Sequence, residues 1–245
     1  MSAYQRGCET LVASWAEYAR GSTGATVRHL PGVNAAVFPG EPERDVYNNA
    51  LLDRGLGHLD RSRVVDAMEA AYAEAGITRF AAWVHESDHA MRTEIERRGY
   101  TVDTTTRAMG RDLDSLDDVE DSLTEPPVDL GPAAWSEYVQ YEGLPPDFLA
   151  RADHAALHVL VAREDGEIVA ASLAYDLGDD CGIYNVATLP HARGRGLASA
   201  VTVAQLRAAR ARGRRTASLQ STPMAQRLYA RLGFHDLGRI LEYVP

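Results

Sequence analysis

The chain has 245 residues, of which 35 are acidic and 25 basic, giving a formal net charge of -10; every basic residue is arginine and none is lysine. Hydrophobic residues at 45% and charged residues at 24% suit a globular chain able to bury a core, while the acidic excess argues against a nucleic-acid backbone as partner and mildly favours a cationic acceptor such as an amine. No apolar run approaches the ~18 residues of a membrane span, the N-terminus lacks a signal-peptide layout, and Cys8 and Cys181 are too few for a disulfide framework or a zinc site; the sequence predicts a cytoplasmic protein with no membrane partner and no metal.

Along the chain, Gly21 to Gly24 and Gly32 through Pro42 read as loops. Arg54-Gly55-Leu56-Gly57 precedes a helix over Val64 to Ala75 that ends at Gly76. Arg79 to His85 reads as a strand, Ser87 as the N-cap of a helix running to Arg98, and Tyr100 to Arg111 as a further strand. His85 and His89 straddle the strand end and the cap, which predicts two exposed imidazoles. The carboxylate-rich segment that ends in Pro126-Pro127 reads as a solvated linker over residues 112–130. Trp135 to Asp153 is a helical segment.

Gly182 to Thr188 reads as a buried strand, and Pro190, which cannot donate to a ladder, marks the end of pairing. Arg193-Gly194-Arg195-Gly196 follows, then a helix from Leu197 to Arg212 with Leu197, Ala200, Val201, Ala204 and Ala208 on one face, stopped at Gly213. A strand is predicted over Arg215 to Ser221. Thr222 as N-cap and Pro223 at the first helical position open a short helix, Met224 to Leu232, stopped by Gly233, and Phe234 to Val244 is the closing strand.

The two halves echo one another. Val46-Tyr47-Asn48-Asn49-Ala50 matches Ile183-Tyr184-Asn185-Val186-Ala187, Arg54-Gly55-Leu56-Gly57 matches Arg193-Gly194-Arg195-Gly196, Gly76 matches Gly213, and Arg98-Gly99-Tyr100 matches Leu232-Gly233-Phe234. Four landmarks in one order at nearly constant displacement predict two copies of one unit, residues 1–111 and 131–245, joined by the acidic linker. The copies are unequal: Ile95 stands four before Gly99 where Tyr229 stands four before Gly233, and the first glycine loop runs into Asp60, a carboxylate near a helix start.

Glycines ahead of a helix N-terminus can hold a pyrophosphate, because the unpaired N–H groups and the positive end of the helix dipole face the loop. At Arg193-Gly194-Arg195-Gly196 and at Leu228-Tyr229-Ala230-Arg231-Leu232-Gly233-Phe234 the chain resembles the GNAT superfamily of acyl-CoA-dependent N-acetyltransferases, over roughly Trp135 to Pro245. It has His191 where the family often has Gln or Arg, and Thr222 where the family has Asn. The resemblance implies an α/β fold of two tandem GNAT-like domains, each a mixed, mostly antiparallel twisted sheet flanked by helices, the first degenerate and the second catalytic. It also implies acetyl-CoA as co-substrate, held by Arg193, Gly194, Arg195, Gly196, Leu197, Ala198, Ser199 and Thr222, and a small-molecule amine as acceptor.

Amine attack on a thioester needs a polarised carbonyl, a neutral amine and a protonated leaving thiolate. By resemblance, Tyr229 is the general acid for the sulfur. The carbonyl falls to backbone amides of a strand that splays from its neighbour, placed at Val186, Ala187 and Thr188 just before Pro190. Glu142, His158, Asp176 and Tyr184 all lie in the second half as possible bases, and the sequence selects none. Two other functions stay open: a non-catalytic acyl-CoA sensor, and a dinucleotide-binding oxidoreductase, which would want an acidic residue where the next strand ends in Leu219-Gln220-Ser221. Monomer and homodimer remain equally open.

Overall fold

Two compact units divide the chain in the computed structural model, which describes residues 1–42, 47–116, 129–144 and 149–245. One, the loop unit, takes Met1–Leu11, Ala108–Phe148 and Asp153–Leu237; the other, the amino-terminal unit, takes Val12–Arg107, Leu149–Ala152 and Gly238–Pro245. The expected repeat landmark Val46 and the greater part of the expected linker, residues 117–128, lie outside the described residues.

In the amino-terminal unit, β1 (Thr26–Leu30), β2 (Val33–Val37) and β3 (Asn49–Leu52) pair antiparallel, and β3 runs parallel to β4 (Ala81–His85) across the helix α2 (His58–Glu74). The crossover such a parallel pair requires is what α2 supplies. Its buried face, Val64, Val65, Met68, Ala71 and Tyr72, joins Val33, Ala35, Val37, Leu52 and Val84 in one core, with the Tyr72 and Phe80 rings stacked 4.1 Å apart. Beyond β4 comes α3 (His89–Arg97), then β5 (Thr101–Asp112), whose residues from Ala108 belong to the loop unit.

Three sequence expectations change here. The loop foreseen from Gly32 through Pro42 contains β2, four of whose five residues are buried; a strand covered on both faces loses the period-2 pattern, so the flanking glycine and proline dominate the reading. The N-cap of α3 is Asp88 rather than Ser87: the Ser87 hydroxyl is engaged by His85 Nδ1 at 2.9 Å, and the Asp88 carboxylate accepts the Met91 N–H at 3.1 Å. His85 is buried, packed where any side chain at Gly238 would collide with its ring.

In the loop unit the strand order is β5, β10 (Thr216–Ser221), β9 (Asp180–Thr188), β8 (Glu167–Leu177), β7 (Leu157–Glu164), β6 (Asp129–Pro132). Strands β6 to β9 pair antiparallel and β10 runs parallel to β9. Both ends of the segment expected as linker are built into this unit: Leu113 and Leu116 are fully buried in its core, and Asp129–Pro132 is β6. The helix α4 (Trp135–Tyr141) follows β6, and α5 (Leu197–Ala211) packs against β7, β8 and β9. The buried Gln205 of α5 donates from Nε2 to the carbonyls of His158 (2.7 Å) and Ser172 (3.1 Å), fixing the helix to two strands. The last helix, α6, is Gln226–Arg231, and β11 (His235–Val244) leads back into the amino-terminal unit, where it pairs antiparallel with β4 from Ile240 opposite His85 to Tyr243 opposite Ala82. The strand beside β4 therefore comes from the end of the chain, and the strand beside β10 is β5, from its middle.

The first residues of β9 and β10 are locked by a buried carboxylate. Asp180 accepts hydrogen bonds from Thr216 Oγ1, Ser218 Oγ and Thr10 Oγ1, each at 2.7 Å, so that β9, β10 and α1 (Ala3–Gly21) meet at one residue that is 1% exposed. Hydroxyl donors to a carboxylate are among the stronger protein hydrogen bonds. Among the described residues no helix is long and apolar enough to cross a membrane.

Replacing Asp180 by Ala removes the acceptor shared by three hydroxyls, two of them on the buried residues Thr10 and Ser218; the expected cost is about 3 kcal/mol, measured as a fall in melting temperature of roughly 10 °C, with Asp180→Asn losing less because one carbonyl oxygen still accepts.

Candidate active site

The parallel ladder between β9 and β10 is short. Asp180 pairs with Thr216, Cys181 with Ala217 and Gly182 with Ser218, and among the described residues no pair follows. Beyond Gly182 the two strands part, while β9 stays paired to β8 as far as Thr188 opposite Ala170. The edge of β9 that β10 leaves has amides without ladder partners, the condition under which an extended ligand can add itself to a sheet. The splay expected at Val186, Ala187 and Thr188 thus begins earlier, at Ile183, and those three residues lie in its open half.

Two features shape the fork. Leu173 faces Tyr184 while Ala171 faces Ala187, so β9 carries one more residue than β8 between these pairs, and the surplus is a β-bulge that holds Asn185 at φ +50°. Asparagine is one of the few side chains that tolerate this conformation, and its Nδ2 donates to the Tyr138 hydroxyl of α4 at 3.1 Å. Below the bulge, Gly182 is obligatory because the Tyr184 hydroxyl lies where a Cβ would project.

After β9, the chain makes one 3₁₀ turn over Pro190–Ala192 and reaches the glycine loop. Gly194 (φ +77°) and Gly196 (φ +81°) are both left-handed, and a Cβ at either would point into open space. The glycines are therefore demanded by backbone conformation, with room left above them, rather than by crowding. Gly196 is the N-cap of α5 and its carbonyl accepts the Ala200 N–H at 3.0 Å, which leaves the amides of Leu197, Ala198 and Ser199 as the orphan donors of the helix start. The Leu197 side chain is buried, so only its backbone can serve a ligand. Arg193 is exposed, with Nε donating to the Thr188 carbonyl at 3.1 Å. Arg195 forks onto Glu164 of β7 at 2.6 and 2.9 Å, an ion pair that holds the Glu164 carboxyl below its ordinary range.

Tyr229, expected as the general acid, has its side chain in the protein interior. It is the buried residue of α6, in the core formed with Ile183, Leu219 and Leu232, and its ring meets Phe234 edge-on at 5.8 Å. A helix this short has room for one deep anchor, and position 229 takes it. Burial pushes the phenol up to about 12. Since Ile183 and Leu219 are the first residues of β9 and β10 after the strands part, Tyr229 belongs to the cluster at the base of the fork. The helix itself starts later than expected: Thr222 is exposed and is not its N-cap. The segment between forms a turn in which the Ala225 N–H bonds the Thr222 carbonyl at 3.0 Å, and Ala225 is the cap.

The open candidates for a base separate by position. Asp176 and His158 lie at the closed end of the fork, where Arg212 at the end of α5 grips Asp176 at 2.8 and 2.9 Å and holds its carboxyl well below the usual range against the opposing effect of burial. A cleft at that end, lined by Arg6, Gly110, Asp180, Ser218 and His235, contains the Asp180 carboxylate already satisfied by hydroxyls. Glu142, by contrast, caps α4, the helix bonded to the bulge.

In the amino-terminal unit the corresponding loop is filled. Gly55 is left-handed (φ +75°), but Gly57 is extended (φ -63°). The Gly55 N–H donates to the Asp88 carboxylate at 2.9 Å, and Asp60 Oδ2 lies 3.0 Å from the place of a Gly57 Cβ. Ile95, at the place corresponding to Tyr229, is fully buried.

Residues 155–236 match the family model described as an acetyltransferase (GNAT) domain. No curated protein sequence matches the chain. Among solved structures, the chain is similar to a GCN5-related N-acetyltransferase from Kribbella flavida, at 16% identity over 99% of this chain and 95% of that one, with a TM-score of 0.73. It is also similar to a tandem GNAT protein from the clavulanic acid biosynthesis pathway (15% identity, 97% and 95% covered, TM-score 0.66). A GCN5-related N-acetyltransferase from Sphaerobacter thermophilus is a third such neighbour (21% identity, 87% and 76% covered, TM-score 0.61). At these identities the likeness is one of fold.

Gly196→Ala forces a Cβ into the left-handed region without a steric neighbour, so its cost is conformational: about 1 kcal/mol, seen as a melting temperature lower by roughly 2–4 °C with the circular dichroism spectrum unchanged.

Proposed function

We propose that residues 155–236, which match the acetyltransferase (GNAT) domain model, form such a domain, and that the chain transfers the acetyl group of acetyl-CoA to a primary amine of a small molecule, by direct attack within a ternary complex. The observation that carries this reading is the fork: strands β9 and β10 part after three residue pairs, directly beside a helix start whose glycine loop leaves its amides uncovered.

The roles follow from position. The amides of Gly194, Gly196, Leu197, Ala198 and Ser199 offer neutral donors and the positive end of the α5 dipole to the diphosphate of coenzyme A. Arg193 stands at the mouth of the loop, and Arg195 can reach a phosphate by exchanging the Glu164 carboxylate for it, one bidentate partner for another. The freed edge at Val186, Ala187 and Thr188 receives the pantetheine arm as an added strand and aims an amide at the thioester oxygen, which gains charge as the amine attacks. Thr222, exposed at the far lip of the fork, completes the set of residues assigned to the coenzyme.

Tyr229 gives its proton to the sulfur as the C–S bond breaks. Burial raises the phenol, and the same desolvation raises a thiol placed beside it, so the gap between the two is smaller than their separate shifts suggest. At neutral pH the phenol is fully protonated and available as a donor. The amino-terminal copy is read as non-catalytic, because Asp88 occupies the amide a phosphate would need and Ile95 replaces the acid.

Calorimetric titration should give one acetyl-CoA site per chain, and release of free thiol should follow addition of a primary amine. Tyr229→Phe is expected to keep the coenzyme affinity within about twofold while turnover falls by roughly 10²–10³-fold; a variant that retains full turnover would remove the phenol from the mechanism.

A further inference from the structure

The acetyl-transfer reading assigns no group to the amine, and this inference rests on that reading. The helix that adjoins the open half of the fork is α4, tied to the β9 bulge by the Asn185 to Tyr138 bond at 3.1 Å. Its last residue is Tyr141 and its C-cap is Glu142, whose N–H returns to the Tyr138 carbonyl at 2.9 Å, so the backbone of this corner is fixed. Two polar atoms here are buried and, among the described residues, have no hydrogen-bond partner: Tyr141 Oη and Glu142 Oε1.

An acidic oxygen shut away from water with no donor is costly, and folded proteins rarely keep one without a use. Most carboxylates of the loop unit that have been described hold a partner: Asp180 has three hydroxyls, Asp176 has Arg212, Glu164 has Arg195, and Glu137 has Arg163 at 3.0 Å and the Ala134 N–H at 2.8 Å. Glu142 departs from this pattern, and it does so beside the fork. Among the described residues, Tyr141 on the same helix interacts electrostatically with Glu142, and Arg193 on the glycine loop acts electrostatically on Tyr141. Burial lifts the Glu142 carboxyl above its ordinary range and, with the neighbouring carboxylate, lifts Tyr141 to about 12.

We propose that Glu142 receives the acceptor: its buried oxygen accepts a hydrogen bond from the primary amine and takes the proton that the nitrogen loses when it attacks the thioester. The step balances as follows. The amine, neutral on arrival, forms a C–N bond to the acetyl carbon; one N–H proton passes to the Glu142 carboxylate; the C–S bond breaks and the sulfur takes the Tyr229 proton. Glu142 then loses its proton to water and Tyr229 regains one, so the enzyme returns to its starting state with an amide and a free thiol as products. A base must be ionised to work, so activity rises with pH through the titration of Glu142, and the raised carboxyl places that acid limb above the usual carboxylate range.

The test compares the full chain with Glu142→Gln and Glu142→Asp, measuring acetyl-CoA affinity, melting temperature and thiol release with a panel of small primary amines from about pH 5 to 9. Glu142→Gln is expected to bind acetyl-CoA within twofold of the parent and to melt at the same temperature or higher at neutral pH, since it removes a charge that burial disfavours. Its kcat/KM should fall by about 10²–10⁴-fold and lose the acid limb, while Glu142→Asp keeps the limb and part of the rate. Turnover by Glu142→Gln within threefold of the parent, with the limb intact, would overturn the assignment, as would a lower melting temperature accompanied by lost coenzyme affinity. A parent protein that binds acetyl-CoA yet releases no thiol with any amine would instead bring down the amine-transfer reading, and this proposal with it.

Discussion

Three residue pairs hold β9 to β10, and the chemistry available to the loop unit depends on where they stop. A parallel ladder that ran on would cover the edge of β9, satisfy its amides and leave no opening at the head of α5. At the closed end, Asp180 draws two hydroxyls of β10 and one of α1 onto a single carboxylate. At the open end the ladder stops, and the cluster of Ile183, Leu219 and Tyr229 fills the base of the gap. Locking one end is what lets the other part without loosening the sheet, since the cost of leaving backbone donors unpaired is met at the buried end.

The open end gathers its functional groups from neutral sources. A glycine loop in the left-handed conformation, a helix start with free N–H groups and a strand edge carry only partial charges, and all are fixed before a ligand arrives. The formal charges nearby are already committed: Arg195 to Glu164, and the Arg193 Nε to a carbonyl. A ligand phosphate has then to compete for Arg195 but finds the amides waiting. The ionisable groups proposed to act in the transfer, Tyr229 and Glu142, are both moved upward by burial, the phenol kept protonated and the carboxyl raised above its ordinary range.

The two halves of the chain set one sequence motif in two different surroundings. Both have two glycines before a helix, yet in the amino-terminal unit Gly57 is extended where Gly196 is left-handed, and the Gly55 amide is taken by a carboxylate that also caps the next helix. Asp88 thus does a structural task on the spot that its counterpart leaves open. Filling that spot ties the loop to the start of α3.

What the sequence determined by itself is local: glycines before a helix start, the stop at Gly213, the mixed strand and helix order of the second half, and the tyrosine four residues before Gly233. These features depend on neighbours within a few positions, where conformational preference and periodicity act directly. It failed locally at Thr222, where the cap is Ala225 instead, and where neighbours in space intervened, as when His85 claimed the Ser87 hydroxyl and passed the cap to Asp88, or when cover on both faces hid β2 between loop signals. The tertiary structure alone decided which closing strand joins which unit: β11, from the end of the chain, lies beside β4, and β5, from the middle, lies beside β10. Two copies of one pattern offer equivalent edges, and no spacing along the chain distinguishes them. It also decided which acid stands unpartnered, because Glu142, Asp176 and Glu164 are alike as letters and differ only in whether an arginine from a distant element reaches them.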